Sequence, residues 1–161
     1  MWYVLLYLLA IVLANVTVAL FGPWVSVLNA FLFIGFNLTA RDKLHDAWHG
    51  NHLKRNMALL ILAGSVLSFA LGAGQIAIAS LVAFALSETV DSVGYHLLRG
   101  QGRMTRMNGS NIPAAAVDSI VFPYIAFGSP LLWPIVIGQF VAKVFGGAIW
   151  SAIICRVDKE V

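Results

Sequence analysis

Nine of the ten Lys and Arg residues lie in three short segments, 41–55, 99–109 and 156–161. The tenth, Lys143, stands alone inside an apolar stretch. Between the charged segments run six apolar stretches, roughly 2–20, 25–40, 57–72, 75–98, 110–128 and 131–155. Three breaks without charge separate them pairwise: Gly22-Pro23, Gly72 with Gly74, and Gly128-Ser129-Pro130. A chain written this way can satisfy its backbone in a bilayer as helices, with Gly and Pro marking the tight turns. Six spans put both polar loops and both termini on one side. The clustering of Lys and Arg predicts that this side is cytoplasmic.

The composition agrees, with 60% hydrophobic and 11% charged residues against about 25% charged in a soluble domain. The expected fold is an all-α polytopic membrane protein, one bundle of six transmembrane helices over residues 1–161, in the inner (cytoplasmic) membrane. The first stretch has no basic n-region and no clear cleavage site, and reads as a retained span. A single Cys155 excludes an intrachain disulfide. The net charge of +3 reflects topology and does not imply nucleic-acid binding.

Against this background Glu88, Asp91, Asp118 and Lys143 lie inside apolar stretches. Charge in a bilayer core is costly, and such residues face a bundle interior and mark solute, ion or proton sites. At 1.5 Å per residue, Glu88, Asp118 and Lys143 lie about 16, 15 and 19 Å from the charged side, near the middle of a roughly 30 Å core. Asp91 is shallower, at about 12 Å. Helical spacing places Phe84, Glu88, Asp91 and Tyr95 on one stripe, Asn111, Ala115, Asp118 and Phe122 on a second, and Gln139, Lys143, Gly147 and Trp150 on a third. This mixture of charge, amide and aromatic ring suits a flat polar heterocycle: Asp118 and Glu88 accept from its edge, Asn111 and Gln139 hydrogen-bond, and Phe122 stacks. Asp118 with Lys143 equally fits an ion pair that sets helix register. Asp91 equally fits a snorkelling role, and Phe122 and Trp150 plain packing.

The 41–55 segment, RDKLHDAWHGNHLKR, reads as a polar loop or an interfacial helix anchored by Trp48. His45, His49 and His52 share one helical face there, a spacing that also suits a metal. Four histidines fall far short of a membrane di-iron enzyme, and phosphate-loop and nucleophile signatures are missing. No catalytic residue, cofactor or resident metal is expected. Gly146, Gly147 and Ala148 permit close helix approach, within the chain or in a homo-oligomer.

Four stretches carry a family resemblance: AFLFIGFNLTARDKL (30–44), ASLVAFALSETVDSVGYHLLRG (79–100), NGSNIPAAAVDSIVFPYIAFG (108–128) and GQFVAKVFGGAIW (138–150). In their order and motifs they resemble the vitamin uptake transporter family whose members import queuosine precursors. The run around Asp118 is the most specific. The resemblance implies a six-helix importer of 7-deazaguanine bases, such as 7-cyano-7-deazaguanine, with Glu88, Asp91, Asp118 and Lys143 at matched polar positions. Two departures stand out. The family commonly has Asp where this chain has Asn37, so a second-helix acid is not carried over, and the chain is shorter than typical members. The alternatives are import of another vitamin-like or purine-like solute, and a membrane interaction protein that transports nothing.

Overall fold

The computed structural model describes residues 2–48 and 52–157, which form helices joined by short turns, with no strand among them. Helix α1 is Trp2–Phe21, α2 Val25–Asn29, α3 Gly35–Ala47, α4 Leu53–Ser68, α5 Gly74–Leu97, α6 Arg103–Phe127 and α7 Trp133–Val157. Two π-helical segments, Ala30–Ile34 and Phe69–Ala73, continue α2 into α3 and extend α4. By length and composition, four stretches of the described residues can cross a membrane: Trp2–Phe21, Arg55–Leu97, Asn108–Phe127 and Trp133–Trp150. Val25–Leu38 is a shorter apolar helix.

The Arg55–Leu97 stretch has 43 residues, and a straight helix of that length would reach about 65 Å, twice a bilayer core. It does not run straight. Gly72 and Gly74 take φ of +90° and +45°, conformations open to glycine and strained for other residues. The chain folds back there. Leu62 to Val66 of α4 and Phe69 of its π segment face Ala77 to Leu81 of α5, and Leu53 to Met57 face Ser92 and Val93, so the two helices run antiparallel.

The helices are built inside out relative to a soluble bundle. On α1 the buried stripe is Tyr7, Ala10, Ile11, Ala14, Asn15 and Val18, at helical spacing, while Trp2, Leu5, Leu9, Leu20 and Phe21 are exposed. On α5 the buried stripe is Ala77, Ser80, Ala83, Ser87 and Asp91. Small and polar residues face inward and bulky apolar ones outward, as expected where lipid is the solvent and close approach holds helices together.

The closest approach joins the π segment and α3 to α7. A methyl group added at Gly35 would lie 2.8 Å from the Gly146 carbonyl carbon, and one at Gly146 would lie 2.6 Å from the Phe31 carbonyl oxygen. The small residues of the sixth apolar stretch are thus used within the chain. Alongside, Phe36 and Trp150 pack edge to face at 5.3 Å.

The π segment also sets the phase of the helix it interrupts. From Asn29 to Asn37 an α-helix would turn the face by about 80°, whereas the one extra residue of a π turn takes back about 100°, leaving the two within about 20° of each other. Ser26, Asn29, Asn37 and Arg41 are accordingly all buried.

One part of the sequence reading needs correction here. Arg41 was expected at the start of a polar loop, and 41–55 as loop or interfacial helix. Instead α3 runs through to Ala47, and Arg41 is 4% exposed in the bundle. Trp48 packs against a cluster of Tyr7, Ile11, Ala40, Leu44, Met57 and Leu60.

Gly146→Val should lower the thermal unfolding midpoint in detergent, by the equivalent of about 1–3 kcal/mol for overpacking. Gly102→Ala, where an added Cβ meets nothing within 4 Å, should change stability by no more than about 0.5 kcal/mol.

Candidate functional site

Helix α7 brings Lys143 to the centre of the bundle, where it is 2% exposed. Its Nζ lies 2.6 Å from Asp118 Oδ2 of α6. It also donates to Ser119 Oγ and to Gln139 Oε1, each at 3.1 Å. The Gln139 amide in turn donates to Ser26 Oγ at 2.8 Å. The three N–H bonds of the ammonium are therefore matched by three acceptors. Two sequence details sustain this. Gln139 and Lys143 are four apart, hence neighbours on one helix face. Pro123 has no N–H, so the Ser119 carbonyl, beside the pair, lacks its usual intrahelical donor.

A second charge cluster centres on Arg41. Its Nη1 donates to Glu88 Oε2 at 3.2 Å. Its Nη2 lies 3.1 Å from Asp91 Oδ1, a charge contact without hydrogen-bond alignment. Nη2 also donates to Asn111 Oδ1. One guanidinium thus ties α3 to both α5 and α6. Asp91 is 2% exposed, which rules against snorkelling. The Glu88 side chain is 21% exposed.

Two small cavities flank the Lys143–Asp118 pair. The first is lined by Tyr7, Asn37, Arg41, Ser87 and Glu88, with Asp118 and Lys143. Tyr7, Asn37, Ser87 and Glu88 lie in the halves of their apolar stretches nearer the charged side, and Arg41 directly follows its own stretch there. The second is lined by Asn15, Ser26, Asn29, Ser80, Phe122 and Gln139, again with Asp118 and Lys143, and lies toward the uncharged turns. Ile34 and Phe84 also line both. The pair, with these two apolar side chains, is the wall the cavities share.

The cavity volumes are about 20 and 30 Å³. A water needs about 10–15 Å³, whereas small-molecule sites run to about 300–1,000 Å³. Each compartment therefore holds a water or two. A third opening of about 190 Å³, lined by Leu38, Asn108, Asn111, Ala115, Lys143 and Gly147, reaches Lys143 between α3, α6 and α7.

All seven residues expected to meet a solute, Glu88, Asp91, Asp118, Lys143, Asn111, Gln139 and Phe122, line these cavities or contact a residue that does. Their roles differ from the expected ones in detail. Asn111 and Asp91 hold Arg41, while Phe122 packs edge to face with Phe127 at 5.8 Å as well as lining the second cavity. Sequence reasoning missed Arg41, Asn37, Asn29 and Asn15. Asn15 donates to Ser68 Oγ at 3.0 Å, and Asn29 to the Ala14 carbonyl at 3.0 Å and to Thr17 Oγ1 at 2.7 Å. Amides inside apolar stretches were the signal that could have found three of the four.

Of the histidine set, His49 and the side chain of His45 lie outside the described residues, while His52 is exposed at the start of α4. Among the described residues no group of three or more His, Cys, Asp or Glu side chains is placed to hold a metal ion.

Because the Lys143–Asp118 pair is buried, each partner's charge is tolerable only while the other is present. Lys143→Met or Asp118→Asn alone should cost about 3–5 kcal/mol of stability, and the double variant clearly less than either single change. A double-mutant cycle on unfolding in detergent measures the difference.

The model of a family described as "Putative vitamin uptake transporter" matches residues 2–157 of this chain. No curated protein and no solved structure matches it.

Proposed function

Since the chain belongs to the vitamin uptake transporter family, we propose that it imports a 7-deazaguanine queuosine precursor, 7-cyano-7-deazaguanine or a close relative. It does so across the cytoplasmic membrane as a six-span bundle with both termini in the cytoplasm. The observation that carries the proposal is the buried Lys143–Asp118 pair standing between two polar cavities that lie toward opposite ends of the bundle.

The six spans are α1, α2 with its π segment and α3, α4 with its π segment, then α5, α6 and α7. The fold-back at Gly72 divides the 43-residue stretch into two of them. Both polar loops then face the cytoplasm, by the bias of Lys and Arg.

The chemistry of the pair suits a guanine-like ring. Such a ring presents an exocyclic amine, whose N–H a carboxylate can accept, beside a ring N–H and a carbonyl. Asp118 makes that exchange by releasing Lys143, which keeps Ser119 and Gln139 and gains the ring carbonyl. The solute therefore replaces one set of charge-assisted bonds with another, and no charge is left bare in the low-dielectric centre. Phe84 and Phe122 offer ring faces beside it.

Arg41, joined to Glu88, Asp91 and Asn111, latches α3 to α5 and α6 at the cytoplasmic end. With the pair made and the latch closed, neither cavity admits a heterocycle. Binding at a midplane site between two alternately opened compartments is the mode of secondary transporters.

The test uses cells that neither make nor import queuosine precursors. Expressing this chain and supplying 7-cyano-7-deazaguanine at low concentration should restore queuosine in tRNA, read as a boronate-dependent gel shift. Lys143→Met, at matched membrane abundance, should reduce the restored fraction at least about tenfold, the effect of losing one charged hydrogen bond. Absence of any shift from a correctly inserted wild-type chain would remove this substrate.

A further inference from the structure

Asn37 lies on the wall of the cavity nearest the charged loops, and it is 2% exposed. Neither its Nδ2 nor its Oδ1 meets a hydrogen-bond partner. A buried carboxamide left in this state costs stability unless something else uses it. The neighbouring amides are committed: Asn111 Oδ1 to Arg41, and Gln139 to Lys143 and Ser26. Ser87 Oγ, on the same wall, turns back to the Phe84 carbonyl.

The charged groups around this cavity are one-sided, while the Tyr7 and Ser87 hydroxyls donate and accept through a single atom. Arg41 and Lys143 only donate, and ionised Glu88 and Asp118 only accept. The Asn37 carboxamide presents a donor and an acceptor side by side. That pattern is complementary to a group with an adjacent carbonyl and N–H, as in a cyclic lactam or a primary carboxamide. An aspartate at the same place would accept only and would favour a donor–donor edge.

Given the import function proposed above, we infer that Asn37 forms a solute subsite that selects a neutral lactam or carboxamide edge, and that its amide is held unpaired in the closed bundle for that purpose. The π segment Ala30–Ile34 serves the subsite directly, because it turns Asn37 onto the face that carries Asn29 and Ser26.

Purified protein in detergent, with Asn37→Leu and Asn37→Asp, tests the inference. The probes are 7-cyano-7-deazaguanine and the same ring lacking its 6-oxo group. Binding is read from the rise in unfolding midpoint with probe concentration. Wild type should bind the oxo ring about tenfold or more tightly than the ring without it. In Asn37→Leu and Asn37→Asp that ratio should fall at least about threefold below the wild-type ratio, through weaker binding of the oxo ring, the part that remains being the Lys143 bond to the same carbonyl. The empty Asn37→Leu protein should unfold at the wild-type midpoint or above, since leucine removes an unsatisfied polar group.

A ratio preserved in Asn37→Leu overturns the inference. So does a lowered midpoint of the empty Asn37→Leu protein, which marks a structural amide. Wild type binding neither ring sinks the deazaguanine substrate instead. The Asn37 subsite is then judged on the empty protein: a raised or unchanged midpoint supports it, and a lowered one overturns it.

Discussion

A charge inside a bundle surrounded by lipid must find its partner within the bundle, and much of this structure follows from that constraint. Lys143 has three acceptors drawn from α6 and α7, one of them an ion-pair partner at 2.6 Å. Arg41 is met by Glu88, Asp91 and Asn111. These contacts require helices to come close, and the inward residues are accordingly small. Gly35 crosses Gly146 at backbone distance, and an added Cβ at Gly94 would lie 3.2 Å from Ser110. Close packing in turn leaves cavities of only about 20 and 30 Å³ beside the pair. The pair thus closes the way between these two compartments because its charges are satisfied. On the proposed import function, a solute that replaces one partner with equivalent bonds would open it, which would tie recognition to conformational change through the same atoms.

The interruptions in the helices fall where the site needs them. The π segment Ala30–Ile34 lies between Asn29, which lines the second cavity, and Asn37, which lines the first. Without its extra residue the two amides would lie on different faces. Pro113 and Pro123 lie in α6, on either side of Asp118. Each removes an intrahelical bond, so the Gly109 and Ser119 carbonyls are released from the regular ladder. Such breaks are tolerated at depth where polar groups nearby can serve the freed backbone.

The charged skeleton of the site was legible in the sequence because an ionised side chain in an apolar stretch has few physical explanations. Glu88, Asp118 and Lys143 could be placed at one depth by counting residues, and the structure brings them around one cavity. Arg41 was not legible. It opens a run of charged residues, and a hydropathy reading assigns such a residue to the loop. Only tertiary packing shows that α3 continues beyond it and that two carboxylates on α5 face it. The phase of the second apolar stretch was hidden too, since a period of 3.6 carried through residues 30–34 misplaces Asn37 by most of a right angle. Asn37 stands out in the sequence as a departure from the family pattern, but that neither of its polar atoms has a partner is seen only in the structure.

The central claim is that the Lys143–Asp118 pair divides one polar path into two compartments that open to opposite sides. Site-directed thiol accessibility measures this most directly. In a chain with Cys155→Ala, single cysteines replace Ser87 beside the first cavity and Ser80 beside the second, in sealed membrane vesicles of known orientation. Membrane-impermeant thiol reagents are then added on either side. The account predicts slow labelling of Ser87→Cys from the cytoplasmic side only and of Ser80→Cys from the opposite side only. Lys143→Met, by breaking the wall, should raise access to each from the wrong side. Labelling of both positions from one side in the intact pair would contradict the account.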